Sequence, residues 1–357
     1  EPQVMLQWFV DVQKKIPHKQ NKTLKELMLE PIQTGSIKVL PEQFEKVYFN
    51  WVHNLRDWCI SRQIWYGHRI PVWYKNDEIY VGVENPDGEG WVQDEDTLDT
   101  WFSSGLWTFS TLGWPEDTQN LKTYHPTNVI NPGYEILFFW VARMILMSQY
   151  VLGEIPFRTV YLHGILRDSK GQKFSKSLGN GIDPIEIINE YGADALRMSM
   201  IVGIGPGADS KFDIQKVKAY SKFANKIWNA TRFVLEQTKD SDPTNTTLDA
   251  EDAQSNLELQ TLIEEITKEM EEYKFYLVAE KLYHYFWHTF ADILIERSKK
   301  KILEGNNADS ARALLYSQLI ILLKALHPFM PFVTEELWSF LPYKKDREFL
   351  MVSTWPS

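Results

Sequence analysis

The stretch Asp168-Ser-Lys-Gly-Gln-Lys-Phe-Ser-Lys-Ser-Leu-Gly-Asn180 decides how the rest of this sequence is interpreted. It places Lys173 and Lys176 three residues apart among serines and glycines. Lysine ammonium groups are mobile positive charges, hydroxyls and backbone amides donate hydrogen bonds, and glycines let the backbone approach a ligand closely. The composition therefore suits a polyphosphate, although a solvated surface loop often has the same composition.

The order of the residues separates these two interpretations. Lys173-Phe-Ser-Lys-Ser177 closely resembles the KMSKS signature of class I aminoacyl-tRNA synthetases, with Phe174 in place of the usual methionine. The resemblance implies that the lysines and serines of this run are catalytic: Lys173, Ser175, Lys176 and Ser177. It also implies that both lysines neutralise charge on the phosphates of ATP, that Phe174 packs on the nucleotide side, and that the loop closes over ATP.

Length and composition indicate a folded protein with two or more domains. Of the 357 residues, 44% are hydrophobic and 14% aromatic, as in proteins with ordinary packed cores. The apolar run from 136 to 150 is interrupted by Arg143 and Gln149, so neither a membrane-spanning segment nor a membrane partner is expected. The single cysteine, Cys59, excludes an internal disulfide and a cysteine-rich zinc site, and a reducing, cytoplasmic location is the simple interpretation.

The pattern of apolar residues changes along the chain. In the first part, short apolar runs alternate with helical patterns: residues 70–74 and 160–166 are predicted strands, and residues 136–151 a largely buried helix. From about residue 212 the periodicity is helical, and Gly305 is predicted to cap a helix. The predicted fold class is α/β, the second half of a Rossmann-type parallel-sheet catalytic domain followed by an all-α helical bundle.

Two further segments narrow the resemblance to valyl-tRNA synthetases. Residues 99–104 read Asp-Thr-Trp-Phe-Ser-Ser and residues 110–115 read Ser-Thr-Leu-Gly-Trp-Pro, where isoleucine enzymes differ. The resemblance implies that Trp101 lines the amino-acid pocket and that Trp140 forms its other wall. Apolar walls suit valine, because its side chain offers only shape and area, and one methylene group changes the binding free energy by roughly 1–3 kcal/mol.

The nucleotide side of the site is expected at the carboxyl ends of parallel strands, where open α/β sheets bind their ligands. Tyr161-Leu-His-Gly-Ile-Leu-Arg-Asp168 reads as a strand that leads into the lysine-serine loop. The resemblance implies that His163 and Gly164 contact adenine and that Gly133 and Glu135 face the ribose of ATP. The family usually has aspartate where this chain has Glu135.

A basic face is predicted on the first helix of the helical region. Lys218, Lys222 and Lys226 follow a spacing of four residues and so share one helix face. A solvated face is the default interpretation, and the net charge of −10 argues against non-specific nucleic-acid binding by bulk attraction. The resemblance implies instead that these lysines and Arg232 contact the tRNA, and that residues 327–338 belong to the family's anticodon-binding bundle.

We therefore interpret the sequence as a C-terminal piece of a valyl-tRNA synthetase. Residues 1–45 would be the exit from a missing editing insertion, residues 46–211 the C-terminal half of the catalytic domain, and residues 212–357 a stem-contact helix with the anticodon-binding domain. The implied reaction is the activation of valine by ATP, taken with Mg²⁺ as the substrate complex, and transfer of valine to tRNA(Val). The family's His-x-Gly-His signature has no counterpart here, so the isolated chain is expected to be inactive without the missing N-terminal half.

Two alternative functions stay open at this point. The chain is either a tRNA-binding module with an inert half-site, or a class I synthetase of the isoleucyl or leucyl type, which residues 99–104 and 110–115 disfavour. No metal is expected. The four carboxylates between residues 94 and 99 lack the spacing of a calcium loop, and the zinc cysteines of many relatives are missing, so no zinc site is evident.

Overall fold

The structure is a computed structural model that describes residues 4–175, 177–240, 242–342 and 348–356. The chain divides into two units, Glu1–Gly164 and Ile165–Ser357, and each unit has its own cluster of buried apolar side chains. Lys176, one of the predicted catalytic lysines, lies outside the described residues.

The first unit is built from short strands and helices. Its strands are β1 (Phe9–Val10), β2 (Lys38–Leu40), β3 (Trp58–Cys59), β4 (Ser61–Arg62), β5 (Val72–Lys75), β6 (Glu78–Val81), β7 (Val92–Gln93), β8 (Thr97–Leu98), β9 (Thr127–Ile130) and β10 (Phe157–Tyr161). Its helices are α1 (Leu24–Gln33), α2 (Gln43–His53), α3 (Thr100–Gly105), α4 (Trp107–Ser110), α5 (Gln119–Tyr124) and α6 (Ala142–Val151). Short 3₁₀ turns occur at Pro17–Lys19 and Tyr134–Ile136, and a π-helical turn at Leu137–Val141 leads into α6.

A parallel sheet with the strand order β2-β10-β9 lies at the centre of the first unit. In its register, Thr159 pairs with Lys38 on one side and with Val129 on the other. The central strand β10 buries Phe157 and Val160 completely, as expected for a strand covered on both faces. The parallel sheet predicted from the sequence is therefore confirmed.

The buried helix predicted over residues 136–151 is present, although its first residues form 3₁₀ and π-helical turns. Val141, Met144 and Ile145 are fully buried, and α6 packs against α1 and α3. The π-helical turn contains Trp140. Such turns are rare and often occur at functional sites. The region around Trp140 is therefore a candidate functional site.

Two predicted strands differ from the observed ones in their bounds. The strand predicted over residues 70–74 begins at Val72, because Pro71 has no N–H group to donate to a sheet. The strand predicted over residues 160–166 ends at Tyr161. The chain turns after it, because the Ile165 N–H donates to the side chain of Asp209 at 2.8 Å and not to a neighbouring strand.

The second unit is largely helical. Its helices are α7 (Pro184–Tyr191), α8 (Ala193–Ile201), α9 (Ile214–Thr238), α10 (Ala250–Glu271), α11 (Phe275–His284), α12 (Ile295–Glu304), α13 (Ala308–Leu326) and α14 (Pro331–Ser339). A π-helical segment, Tyr285–Leu294, joins α11 to α12, 3₁₀ turns occur at Pro243–Asn245 and Leu350–Val352, and strands β11 (Leu166–Arg167) and β12 (Ser210–Lys211) pair in parallel. Within the described ranges of both units, no helix combines the length and apolar character needed to cross a bilayer.

Helix α13 is the central helix of the bundle. It packs against α9, α10, α11, α12 and α14, and its buried residues lie on all sides of the helix, as expected for a helix that is surrounded by others. Helix α9 is amphipathic, as predicted, and buries Val217, Phe223, Ile227 and Val234. The helical bundle predicted from the sequence is therefore confirmed.

The end of the helical run before Gly305 also agrees with the sequence. Gly305 has a φ of 68°, in the left-handed region that glycine adopts at little cost. Its N–H donates to the Ile302 carbonyl at 3.3 Å, and the Asn306 N–H donates to the Lys301 carbonyl at 3.1 Å. Gly305 therefore caps α12 as predicted.

Candidate active site

The carboxyl ends of strands β9 and β10 bring together three of the residues predicted to bind the nucleoside. The His163 N–H donates to the Pro132 carbonyl at 3.1 Å, and the Tyr134 N–H donates to the His163 carbonyl at 3.0 Å. A Cβ atom at Gly133 would lie 3.4 Å from His163 Cε1 and 3.9 Å from Glu135 Cγ. Gly133, the imidazole and the carboxylate side chain therefore form one cluster at the edge of the sheet.

The imidazole of His163 has a defined orientation. Its Nδ1 lies 2.8 Å from the carbonyl oxygen of Gly164, and because a carbonyl can only accept, Nδ1 carries the proton. The Nε2 atom of the neutral ring is then an acceptor. His163 and Glu135 are both exposed, so an acceptor nitrogen and a carboxylate are accessible at the carboxyl edge of the sheet.

The two predicted pocket walls lie on elements that pack together. Trp101 is in α3, and its ring stacks on Phe139 with a centroid separation of 5.9 Å. Trp140 is in the π-helical turn, its indole N–H donates to the Ser104 carbonyl at 3.0 Å, and its ring lies 5.8 Å from that of Trp107. Trp101 and Trp140 are both partly exposed, so each wall retains accessible surface.

The carboxylate of Asp99 anchors the beginning of α3. Its Oδ1 accepts from the Trp101 N–H at 3.2 Å, which caps the helix. Its Oδ2 accepts from the Trp58 indole N–H at 2.9 Å and pairs with Arg62 Nη2 at 2.9 Å. The position of Trp101 therefore depends on a buried carboxylate from the segment between residues 94 and 99.

Asp94 in the same segment also has structural partners. Its Oδ2 accepts from the Trp8 indole at 2.8 Å and from the Tyr74 hydroxyl at 2.7 Å, and its Oδ1 accepts from the Asp96 N–H at 2.9 Å. Burial opposes ionisation, but the hydrogen bonds from Tyr74 and Trp8 lower the pKa of Asp94 overall. These contacts give the carboxylate a role in holding the strands together.

His68 contacts α3, the helix that contains Trp101, and was not predicted as a site residue. Its Nδ1 lies 2.7 Å from the hydroxyl of Ser103 in α3. The preceding Gly67 has a φ of 134°, and a Cβ atom there would lie 3.3 Å from the side chain of Thr97. Glycine adopts this backbone conformation at little cost. Gly67 was therefore the sequence feature that could have pointed to the position of His68.

In the second unit, the lysine-serine loop is a closed turn held by two side chains. Asp168 Oδ1 accepts from the backbone N–H groups of Lys170 at 2.9 Å and Gln172 at 2.8 Å. The amide of Asn180 donates to Asp168 Oδ2 at 2.9 Å and accepts from the Ser175 N–H at 2.9 Å. The hydrogen bond from Asn180, and then that from Gln172, lower the pKa of Asp168.

Asn180 was not predicted as a site residue, although it touches the signature itself. Its amide also donates to the Lys173 carbonyl at 3.3 Å. The hydroxyls of Ser175 and Ser177 lie 2.7 Å apart, so the two predicted serines hydrogen-bond to each other. The side chain of Lys173 is exposed, and the turn therefore presents an accessible positive charge.

Phe174 lines an apolar cavity of about 270 Å³ in the second unit. Leu166, Ile187, Leu196 and Phe212 are among the other residues that line it. The ring of Phe174 is partly buried. The phenylalanine that departs from the usual signature is therefore matched by apolar surroundings of its own unit.

Comparison with known families identifies the family of this chain. The family model described as tRNA synthetases class I (I, L, M and V) matches residues 1–91 and 82–213. The chain belongs to the class I tRNA synthetases. A second model, the anticodon-binding domain of tRNA ligase, matches residues 252–357 of this synthetase chain, in agreement with the predicted family.

Curated relatives of this synthetase chain are valine--tRNA ligases. It is 46% identical to the valine--tRNA ligase of Petrotoga mobilis and 45% identical to that of Thermotoga maritima. Each comparison covers 100% of this chain and 41% of the relative. The chain thus spans about two fifths of the length of the curated relatives it matches.

Solved structures show the same fold at low sequence identity. The complex of Agrobacterium radiobacter K84 LeuRS with tRNA and LeuAMS has a TM-score of 0.70 and 21% identity, and covers 85% of this chain and 42% of that chain. Mycobacterium tuberculosis methionyl-tRNA synthetase with methionyl-adenylate has a TM-score of 0.71 and 18% identity, and covers 89% of this chain and 62% of that chain. The synthetase chain therefore has the class I synthetase fold.

The basic face predicted on α9 of the synthetase chain is partly occupied by protein contacts. Lys226 forms an ion pair with Asp292, and its ammonium group lies 4.7 Å from the ring centroid of Trp287. Lys218 is exposed, with its ammonium group 5.6 Å from the ring centroid of Tyr191. The charge of Lys226 is thus already compensated.

Lys222 and Arg232 of α9 are both exposed. Lys222 lines a groove between α9 and α12 of about 430 Å³, together with Asn225, Asn229 and Lys299. Lysine and asparagine side chains are common donors to nucleic-acid backbones. Lys226, Asp292 and Glu296 line the same groove, so its charge is mixed, and Lys222 differs from Lys226 mainly in being exposed.

Within the described ranges, Asp249, Glu251 and Asp252 form a group with the geometry of metal ligands. Lys301 Nζ lies 2.9 Å from a carboxylate oxygen of each of them, and Arg297 Nη2 lies 3.0 Å from Asp252 Oδ1. Two cationic side chains thus offset most of the negative charge of the three carboxylates, and the group is an ion-pair network between helices.

Proposed function

We propose that this chain is the part of a valine--tRNA ligase that carries the second half of the catalytic site and the anticodon-binding bundle. The proposed reaction is the ATP-dependent activation of valine to valyl-adenylate, followed by transfer to tRNA(Val) in the cytoplasm. The observation that carries the proposal is the 46% and 45% identity to valine--tRNA ligases over the whole chain. In this proposal, activity requires an N-terminal half-site with the His-x-Gly-His signature.

The proposed nucleoside site is the cluster at the carboxyl edge of the sheet. Glu135 is exposed there, and its carboxylate would accept hydrogen bonds from the ribose hydroxyls. The Nε2 atom of His163, oriented by the carbonyl of Gly164, would accept a hydrogen bond from adenine. Gly133 has no side chain, which leaves room beside the imidazole.

The proposed valine pocket lies between Trp101 and Trp140. Both rings are held in place by contacts within the first unit, Trp101 by Phe139 and Trp140 by Ser104. Valine has no polar group in its side chain, so its recognition depends on the shape and separation of apolar walls. Two rigid indole rings suit that requirement.

Lys173 and Lys176 are proposed to neutralise the phosphates of ATP, with Ser175 and Ser177 as neighbouring donors. Lys173 is exposed on a turn whose shape is set by Asp168 and Asn180, and the resemblance to the signature supports its proposed role. Mg²⁺ enters with ATP as part of the substrate and supplies further positive charge to the phosphates.

The proposed tRNA contacts involve the helical bundle and α9. The match of residues 252–357 to the anticodon-binding model, together with the exposure of Lys222 and Arg232, supports this assignment. The predicted domain limits, 1–45, 46–211 and 212–357, stay part of the proposal.

Valine-dependent exchange of pyrophosphate into ATP tests the proposed reaction. We expect no exchange by the 357-residue chain alone, and exchange when an N-terminal half-site from a valine--tRNA ligase is added. Valine, isoleucine, leucine and threonine are compared as substrates. Exchange by the isolated chain would contradict the half-site requirement, and a preference for isoleucine or leucine would contradict valine specificity.

The match to the anticodon-binding model also favours a second candidate, a tRNA-binding module with an inert half-site. Binding of a non-hydrolysable valyl-adenylate analogue to the chain separates the two candidates. Tight binding of tRNA(Val) without binding of the analogue, and without exchange after the N-terminal half-site is added, would identify the tRNA-binding module.

A further inference from the structure

Arg143 is a buried cation that the proposed function does not use. It lies in α6 and is 5% exposed. Its Cζ lies 3.8 Å from the ring centroid of Trp58 and 5.0 Å from that of Phe138. Its Nη1 is buried and has no hydrogen-bond partner in the described part of the chain. A buried charge with an incomplete set of hydrogen bonds is costly, so this position calls for a physical reason.

The guanidinium group stays charged at neutral pH. Burial lowers the pKa of Arg143 to about 10, and the negative charge of Asp99 opposes this effect. The cation lies over the rings of Trp58 and Phe138, and the nearer of the two, an indole, attracts a guanidinium group electrostatically. Arg143 is therefore stabilised by contact with the Trp58 ring and by electrostatic attraction to Asp99.

These contacts connect Arg143 to the beginning of α3. Trp58, which carries the guanidinium group on its ring face, donates its indole N–H to Asp99 Oδ2 at 2.9 Å. Asp99 Oδ1 in turn accepts from the Trp101 N–H at 3.2 Å, and Arg62 pairs with the same carboxylate at 2.9 Å. A continuous series of contacts therefore runs from Arg143 in α6 to Trp101 in α3.

Helices α3 and α6 also touch directly at the other end of α3. A Cβ atom at Gly105 would lie 3.0 Å from Met147 Cγ and 3.3 Å from the Arg143 carbonyl oxygen. The indole of Trp140 donates to the Ser104 carbonyl at 3.0 Å. Both ends of α3 are therefore held by contacts that lead to the π-helical turn, which contains Trp140, and to α6, which contains Arg143.

We propose that Arg143 is a positioning residue that sets the separation of Trp101 and Trp140, and thereby which aliphatic side chain the amino-acid pocket accepts. The inference rests on the proposed function, because it takes the two tryptophans as the pocket walls. Valine and isoleucine differ by one methylene group, so selection between them requires walls held within a fraction of an ångström. A planar guanidinium stacked on a ring resists displacement better than a flexible ammonium group.

Hydrogen exchange in the 357-residue chain tests the anchoring. Arg143→Lys and Arg143→Met are compared with Arg158→Lys and Arg158→Met, because Arg158 is an exposed arginine of β10 in the same unit. We expect the Arg143 variants to accelerate exchange of the α3 amides roughly tenfold relative to the sheet amides, and the Arg158 variants to leave it unchanged. Unchanged α3 exchange, or equal acceleration throughout the unit, would overturn the positioning role.

Selectivity provides the second readout. The affinities of valyl- and isoleucyl-adenylate analogues are measured for the wild-type chain, Arg143→Lys and Gly105→Ala, which crowds the same helix contact without removing the arginine. We expect both variants to reduce the preference for the valyl analogue by about tenfold. An unchanged ratio of the two affinities in Arg143→Lys would contradict the proposed role of Arg143 in selectivity. Where the wild-type chain alone binds neither analogue, the same ratio is measured with the N-terminal half-site added. If neither analogue binds then, the proposed function fails, while the exchange experiment still decides the anchoring.

Discussion

Asn180 shows how one residue outside the signature determines the shape of the lysine-serine loop. Its single amide group joins the beginning of the loop at Asp168 to the signature residues Lys173 and Ser175. These hydrogen bonds tie the two ends of the loop to the signature between them. The catalytic residues proposed in this loop therefore depend on the Asn180 side chain. The sequence composition gave no indication of this role.

We predict that Asn180→Ala opens the loop without unfolding the second unit. The variant removes the hydrogen bonds to Asp168, Lys173 and Ser175, so the amides of residues 168–175 should exchange roughly tenfold faster, with a nearly unchanged Tm. Hydrogen exchange and thermal unfolding measure the two effects. Asn229→Ala is the matched control, because the Asn229 amide bonds to Asn225 within α9. Wild-type exchange of the loop in Asn180→Ala would contradict the prediction.

The pH dependence of the same turn provides an independent check. The hydrogen bonds from Asn180 and Gln172 hold the pKa of Asp168 below its ordinary value of 3.8. A depressed pKa stabilises the turn at pH values above 3.8, and this stabilisation is lost as the pH falls through the lower folded value. Loop protection should therefore be full at neutral pH and decline as the pH falls below about 3.8, with a weaker decline in Asn180→Ala.

At the scale of secondary-structure elements, an ionic network joins α10, α12 and α13. Asp252 of α10 is fully buried. Its carboxylate pairs with Arg297 at 3.0 Å and Lys301 at 2.9 Å, both in α12, and accepts from the Ser310 hydroxyl in α13 at 2.6 Å. One buried acid of α10 therefore contacts two other helices. Its removal leaves Arg297 and Lys301 with Glu251, and Lys301 also with Asp249, but without their buried partner.

We predict that Asp252→Ala lowers the free energy of unfolding by about 2–3 kcal/mol, because two cations and the Ser310 hydroxyl lose a buried hydrogen-bond acceptor. Asp309→Ala is the control. Asp309 pairs with Arg312 at 2.8 Å on the surface, and such exposed pairs contribute about 0–1 kcal/mol. Urea unfolding of both variants measures the difference. Equal losses of stability in the two variants would show that the buried network stabilises the fold no more than the surface ion pair does.

At the scale of the whole molecule, a net charge of −10 makes general attraction to RNA unfavourable. The proposed contacts with tRNA therefore depend on local groups of basic residues. On α9, Lys222 is exposed beside two asparagines, whereas Lys226 is paired with Asp292. Two lysines one helical turn apart are thus expected to contribute differently.

We predict that Lys222→Ala weakens tRNA binding several-fold and lowers the slope of log affinity against log salt concentration by about 1, as expected for one lost phosphate contact. Lys226→Ala is the matched variant and should have a smaller effect, since Asp292 already compensates its charge. Titration of labelled tRNA(Val) at several salt concentrations measures both quantities. Equal losses in the two variants, or no loss in Lys222→Ala, would refute the assignment.

Local pattern and residue order were sufficient to predict the family, the parallel sheet and the helical bundle. Apolar periodicity reports which elements form, because each strand or helix buries one face. The proximity of Gly133 and His163 was implied only by the family resemblance, because the sequence pattern placed His163 but not Gly133 at the end of a strand. The catalytic roles of Lys173 and Lys176 stay predictions, and Lys176 lies outside the described residues.

Long-range contacts were decided by the tertiary structure alone. The sequence by itself placed Trp101 and Trp140 in one pocket only through a family resemblance, and it gave no indication that Trp58 and Asp99 connect Arg143 to Trp101. Such contacts join residues far apart in the chain, such as the 41 positions between Trp58 and Asp99. Their partners depend on how helices pack, and a polar side chain carries no local mark of the partner it will meet.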